Sequence, residues 1–225
     1  MAQTLLFDVN ETLLDLTALN PLFAAIFGDA SARGDWFQRT LMSALTISAT
    51  GGDAPFDTVA ASALGVTGHH YGHPPTPDER ARIATAMREL PAHREVPKAL
   101  ERLGAAGYRL VALSNSPGDM LREQLTNAGL LPRFDAVVSA AEARALKPSA
   151  AVYRAAAARL ASNPDELLMI AAHGWDLAGA ARAGLSTGFV ERPAHYPEPL
   201  FPPPDYRAPD LDALASALIA NRHPG

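Results

Sequence analysis

The chain has 225 residues, 48% of them apolar and 19% charged, enough for one large domain, or a domain with an insertion, built around a buried core. A formal net charge of -5 gives no reason to expect nucleic acid or an anionic membrane as partner. The absence of cysteine excludes disulfides, thiolate metal sites and a cysteine nucleophile. No apolar run approaches the roughly 20 residues that span a bilayer, and no basic region or cleavage site precedes the first apolar run, so a cytoplasmic location is expected.

"TLLFDV" (4–9) is apolar without alternation, as suits a parallel strand covered on both faces. From about 16 to 93 the pattern is helical instead: "LTALNPLFAAIFG", "GDWFQRTLMSALTIS", "FDTVAASALG" and "TPDERARIATAMREL" are separated by turns bearing Gly and Pro. "EVPKALERLGAAG" (95–107) is an amphipathic helix ending on glycine. The strands "RLVALSN" (109–115), "AVVS" (136–139), "LLMIAA" (167–172) and "TGFV" (187–190) follow, with helices "AAVYRAAAARLA" (150–161) and "DLAGAARAG" (176–184) among them. "RPAHYPEPLFPPPDYRAP" (192–209) reads as an extended surface loop and "DLDALASALIA" as a terminal helix. Strands alternating with helices predict a doubly wound α/β sheet. The helical interval is most simply a cap domain at 16–93, inserted after the first strand of a core made of 1–15 and 94–225.

In open α/β sheets ligands bind at the carboxyl ends of the strands. The residues expected there are Asp8 and Thr12, Ser114 and Asn115, Lys147, and Asp176. Each has an ordinary structural explanation taken alone: a strand-end Asp caps turns, Ser-Asn is turn chemistry, and "KP" opens helices. Two acids, a lysine and small hydrogen-bonding side chains converging on one edge form a chemical set. "GHHYGHPP" (68–75) gathers His69, His70 and His73, but in a loop-like stretch without an acid beside them, so a metal site there is not expected.

This order of motifs resembles the haloacid dehalogenase superfamily over nearly the whole chain: "FDVNETL", "LSN", "KP" and "AAHGWD" match its four motifs. Within it the sequence is most similar to the L-2-haloacid dehalogenase (type II) group, whose motifs run D-x-Y-G-T-L-F-D, S-N-G, K-P-x-x-x-V-Y and S-S-N-A-W-D. The resemblance implies a Rossmann-like core, a helical cap and Asp8 as a nucleophile that forms an ester later opened by water. It also implies that Lys147 keeps Asp8 ionised. Thr12 and Ser114 would orient Asp8 and a substrate carboxylate, and Asp176 would pair with Lys147 and help position water. Tyr153 matches a tyrosine near the group's lysine. Gln38, Leu41, Phe56 and Trp175 match substrate-pocket positions, and Asn115 lies beside them. A small-molecule substrate and a homodimer are the partners implied.

Three positions depart from the group. Phe37 replaces the cap arginine that accepts the departing halide, with Arg39 two residues on and on another side of the helix. His173 replaces the fourth-motif asparagine and Asn10 the first-motif tyrosine. The superfamily's phosphatases carry a general-acid aspartate where this chain has Asn10, and a Mg²⁺-binding acid where it has Ala172. Halide leaves without a proton, and its displacement needs no metal. The expected activity is therefore cofactor-free dehalogenation rather than phosphate hydrolysis or a silent binding role.

Overall fold

The computed structural model describes residues 4–222. Among them, strands β1 (Thr4–Phe7), β2 (Arg109–Ser114), β3 (Ala136–Ser139), β4 (Leu167–Ala171), β5 (Ser186–Val190) and β6 (Tyr206–Ala208) form one sheet in the order β3-β2-β1-β4-β5-β6. All pairings are parallel, with Leu6 of β1 opposite Val111 on one side and Met169 on the other. The chain turns back on itself at β1, since β2 and β3 lie to one side and β4 to β6 to the other. A crevice opens at the carboxyl ends of the strands at such a switch point, and here it falls between β1 and β4.

Side chains alternate across a strand, and both faces of this sheet are covered. Leu5, Phe7, Leu110 and Ala112 join one apolar core with helices α5 (Val96–Ala105), α6 (Gly118–Asn127) and α9 (Leu211–Arg222). Leu6, Val111 and Leu113 join a second with α7 (Ala150–Leu160) and α8 (Gly174–Arg182). Each fully buried leucine contributes about 1.5–3 kcal/mol, so both layers hold the sheet, and the strands run apolar without alternation.

Between β1 and α5 lie a short 3-10 turn (Leu16–Leu19) and helices α1 (Asn20–Phe27), α2 (Ala32–Ala49), α3 (Phe56–His70) and α4 (Pro77–Arg88). Pro21 sits in the first turn of α1, where its missing N–H costs nothing. A reciprocal cap between Thr76 and Glu79 opens α4. Phe23 stacks on Trp36 at 5.2 Å, and the Trp36 indole N–H donates to Ala60 O at 2.9 Å, fixing α1, α2 and α3 together. Their buried residues are continuous with the first core.

Three local expectations change. Helix α6 forms in a stretch not read as helical, because its polar composition hides Gln124, which is buried and donates to Met87 O at 2.8 Å. The stretch 192–209 is not all loop: Tyr206–Ala208 adds a short strand to the edge of β5, a signal too brief to show among prolines. Helix α3 runs on through Gly68–His70. A Cβ at Gly68 would stand 2.4 Å from Pro75 Cδ, so glycine lets the helix end pack against the following turn. Among the described residues no helix is long and apolar enough to cross a membrane.

Candidate active site

Asp8 follows β1 directly, its N–H donating to Ile170 O at 3.0 Å and so extending the ladder by one bond. The chain then turns, with Leu13 and Leu14 both donating to Val9 O, which brings Thr12 back over Asp8. Thr12 Oγ1 donates to Asp8 Oδ2 at 2.7 Å and accepts from the Ala172 N–H at 3.0 Å, tying the ends of β1 and β4 together. Lys147 Nζ lies 3.1 Å from Asp8 Oδ1 and 2.8 Å from Asp176 Oδ2, with all three side chains buried. Burial alone would raise the Asp8 carboxyl; Lys147, His173 and Thr12 outweigh it and hold Asp8 below the ordinary carboxylate range. Burial disfavours the Lys147 charge too, but Asp176 and Asp8 push its pKa up.

The lysine is placed by its neighbours. Its backbone N–H donates to Asn115 Oδ1 at 2.8 Å, and Pro148 packs on α8. That packing requires Gly179, where a Cβ would stand 2.5 Å from Pro148 O. Asp176, in the first turn of α8, is a stabilising place for a carboxylate. Tyr153 donates to its Oδ1 and backbone oxygen. Burial nevertheless pushes the Asp176 carboxyl up, against the lowering pull of Lys147. Ser114 is buried at the end of β2, but its Oγ accepts from the Ser116 N–H at 3.2 Å. The side chains hydrogen-bonded to Asp8 among the described residues are Thr12, Lys147 and His173.

A cavity of about 520 Å³ opens beside this set, between the strand ends and α2. Phe37, Gln38, Leu41, His173 and Trp175 line it as expected. Phe56 does not: at the start of α3 it is buried in the first core. Asn10 does not either, since its Nδ2 donates to Ser116 Oγ at 3.3 Å and its Oδ1 accepts from Gln124 at 3.2 Å, in a buried network. Tyr153 and Asn115 act behind the site through Asp176 and Lys147 and are outside the lining. Asp8 itself lies one side chain in from the wall, because His173 covers it.

The cavity also shows residues that the sequence reading missed: Glu11, Arg33, His93, Arg192 and His195. His173 presents Nδ1 to Asp8 Oδ2 at 3.0 Å and Nε2 to Glu11 Oε2 at 3.0 Å. Burial disfavours its charge, but the two carboxylates push its pKa up to about 10. Glu11 is held below the ordinary range by His173 and His195 against its own burial, and its Oε1 accepts from Arg33 Nη1 at 2.9 Å. Arg192 is spent on Thr12 O at 2.8 Å and Glu95 at 2.7 Å. Glu11 has φ 62, a left-handed conformation costing about 1–3 kcal/mol outside glycine. One signal was available, because the resembling motif has glycine at this position. His195 and Arg33 left none: they lie 184 and 22 residues from Glu11.

The profile of the haloacid dehalogenase-like hydrolase family matches residues 2–184. The (S)-2-haloacid dehalogenase 4A of Burkholderia cepacia is 33% identical over 140 residues, 62% of this chain and 61% of that protein. The (S)-2-haloacid dehalogenase 2 of Pseudomonas sp. (strain CBS-3) is 28% identical over 94% of this chain and 93% of its own. In three dimensions the chain superposes on the L-2-haloacid dehalogenase of Xanthobacter autotrophicus with a TM-score of 0.90 and 26% identity, covering 97% of this chain and 98% of that one.

Proposed function

The chain belongs to the haloacid dehalogenase-like hydrolases, and from that membership we propose that it is an (S)-2-haloacid dehalogenase working through an ester on Asp8. The observation that carries the reading is the Asp8–Lys147–Asp176 array at the β1/β4 switch point, in a chain whose relatives carry that name over most of their length. Residues 16–93 are taken as its cap.

In the first step the Asp8 carboxylate attacks C2 of the haloacid, a C–O bond forms, and halide leaves with the C–X electron pair. Lys147 keeps the attacking group ionised, and Thr12 fixes its orientation. In the second step water adds to the Asp8 carboxyl carbon, one of its protons passes to the departing alkoxide oxygen and the other to solvent, and the ester opens to the 2-hydroxyacid and free carboxylate. One difficult displacement becomes two easier ones. Asp176, beside Lys147, helps position that water. No proton is needed by the leaving group, which agrees with Asn10 being committed to Ser116 and Gln124. With Phe37 at the expected arginine position, the guanidinium nearest in kind is Arg33, one helical turn earlier on the same face of α2 and also lining the cavity. Arg33, whose Nε and Nη1 are held by Asn20 and Glu11, is assigned to the carboxylate of the haloacid through Nη2.

The test is halide release from chloro-, bromo- and fluoroacetate and from each enantiomer of 2-chloropropionate. Release from the (S) enantiomer, absent in Asp8→Asn, is the expected result. No halide from any acid would sink the reading.

A further inference from the structure

We propose that Glu11, His173 and His195 form a binding site for a divalent first-row transition metal ion such as Zn²⁺, open to the cavity beside Asp8. The imidazole Nε2 atoms of His173 and His195 lie 3.0 and 3.1 Å from one oxygen, Glu11 Oε2. All three donor atoms lie within 4.8 Å of one another. Tetrahedral bonds of about 2.0–2.1 Å set donors about 3.3 Å apart; both nitrogen–oxygen separations are close to this, and the two nitrogens, within 4.8 Å of each other, would close toward it around an ion.

The orientation of the groups suits a ligand set, an ion displacing the proton that His173 Nε2 shares with Glu11 Oε2. Each imidazole turns Nε2 to the common centre while its Nδ1 is held from outside. For His173 the holder is Asp8 Oδ2 at 3.0 Å, and for His195 it is Pro193 O at 3.0 Å. Glu11 is steadied in the same way, its Oε1 accepting from Arg33. Metal-binding histidines are generally fixed by such a carboxylate or carbonyl on the far nitrogen. Two nitrogens and one oxygen favour a transition ion over Mg²⁺ or Ca²⁺, which take oxygen. Three protein ligands leave one position, and all three residues line the cavity, so that position faces incoming molecules. The strained backbone of Glu11 belongs with this picture, since the left-handed turn carries its carboxylate to the two histidines. By contrast, His69 and His70 are exposed at the end of α3, and His73 pairs with Glu79.

A dication in this place would share the cavity with Phe37 and would accept the departing halide where the guanidinium is missing. That role rests on the dehalogenase reading; the binding does not.

The experiment is equilibrium dialysis of the full chain, stripped with EDTA, against Zn²⁺ and against Co²⁺, the latter also followed by its visible absorption. One equivalent is expected, with the absorption of a low-coordinate Co²⁺ site. His195→Ala and, separately, Glu11→Gln should weaken binding by more than about 100-fold, beyond the 10–100-fold loss typical of an outer partner. The His69→Ala/His70→Ala double variant should bind as the parent does. Circular dichroism of each variant shows that it is folded, and Glu11→Gln keeps the side-chain shape should His195→Ala unfold. No stoichiometric binding, binding that survives both site variants, or binding lost in the double variant would overturn the proposal. Halide release measured on the same preparations separates this failure from that of the dehalogenase reading.

Discussion

His173 Nδ1 stands 3.0 Å from Asp8 Oδ2, so the group taken as nucleophile is held by an imidazole that is itself part of the cavity wall. Thr12 shares that oxygen and Lys147 holds the other. A carboxylate with three such partners is ionised and fixed, which suits attack on carbon. It is also covered, so substrate must pass the His173 ring to meet it.

Asp8→Asn is expected to fold and to lose all activity. Single-turnover hydrolysis in ¹⁸O-water should put label into the protein at Asp8 before it reaches product, because in the proposed mechanism water attacks the Asp8 carboxyl carbon. Mass spectrometry of the Asp8 peptide decides this. Label found in product while the protein stays unlabelled means that water attacks substrate directly.

Thr12→Val keeps the shape of the side chain but removes the atom joining Asp8 to the Ala172 N–H. The amide is left buried without a partner, at a cost of about 1–3 kcal/mol. Urea unfolding should show that loss together with lower turnover, and Thr12→Ser should recover much of both. Full stability in Thr12→Val would show that the bridge is not needed.

Gly179→Ala tests placement of the lysine from behind. The new methyl would stand 2.5 Å from Pro148 O and must push the Lys147–Pro148 segment away from α8. Overpacking of this kind costs about 1–3 kcal/mol. Turnover should fall, although residue 179 touches no substrate. An unchanged Tm and rate would mean that the segment yields without moving the ammonium.

Phe37 faces the cavity from α2. An aromatic edge stabilises a departing anion far less than a guanidinium does. Loss of one such donor is worth about 3 kcal/mol, or about 10²-fold in rate. The wild-type protein should release chloride and bromide slowly, and Phe37→Arg should raise the rate. A fast wild type with an inactive Phe37→Arg would show that halide departs by another route.

Phosphate esters should not be substrates. Ala172 offers no ligand where the phosphatases have their acid, and Asn10 is tied to Ser116 and Gln124. Phosphate release from p-nitrophenyl phosphate should stay at background with and without Mg²⁺. A hundredfold rise on adding Mg²⁺ would restore the phosphatase reading.

The sequence alone determined the layered α/β plan and the convergence of Asp8, Thr12, Lys147 and Asp176. The reason is local: apolar runs of strand length have an end, and parallel strands bring those ends to one edge. That Phe37, Gln38 and Leu41 of α2 face the cavity was expected only from their match to the resembling group's pocket positions. Only the tertiary structure decided that Phe56 belongs to the core, that Asn10 turns to Gln124, and that Ser114 Oγ accepts from the Ser116 N–H. It alone brought Arg33, His173 and His195 onto Glu11. Those meetings depend on where a turn, a helix and a distant loop come to rest against one another, and no periodicity along the chain encodes a contact across 184 residues.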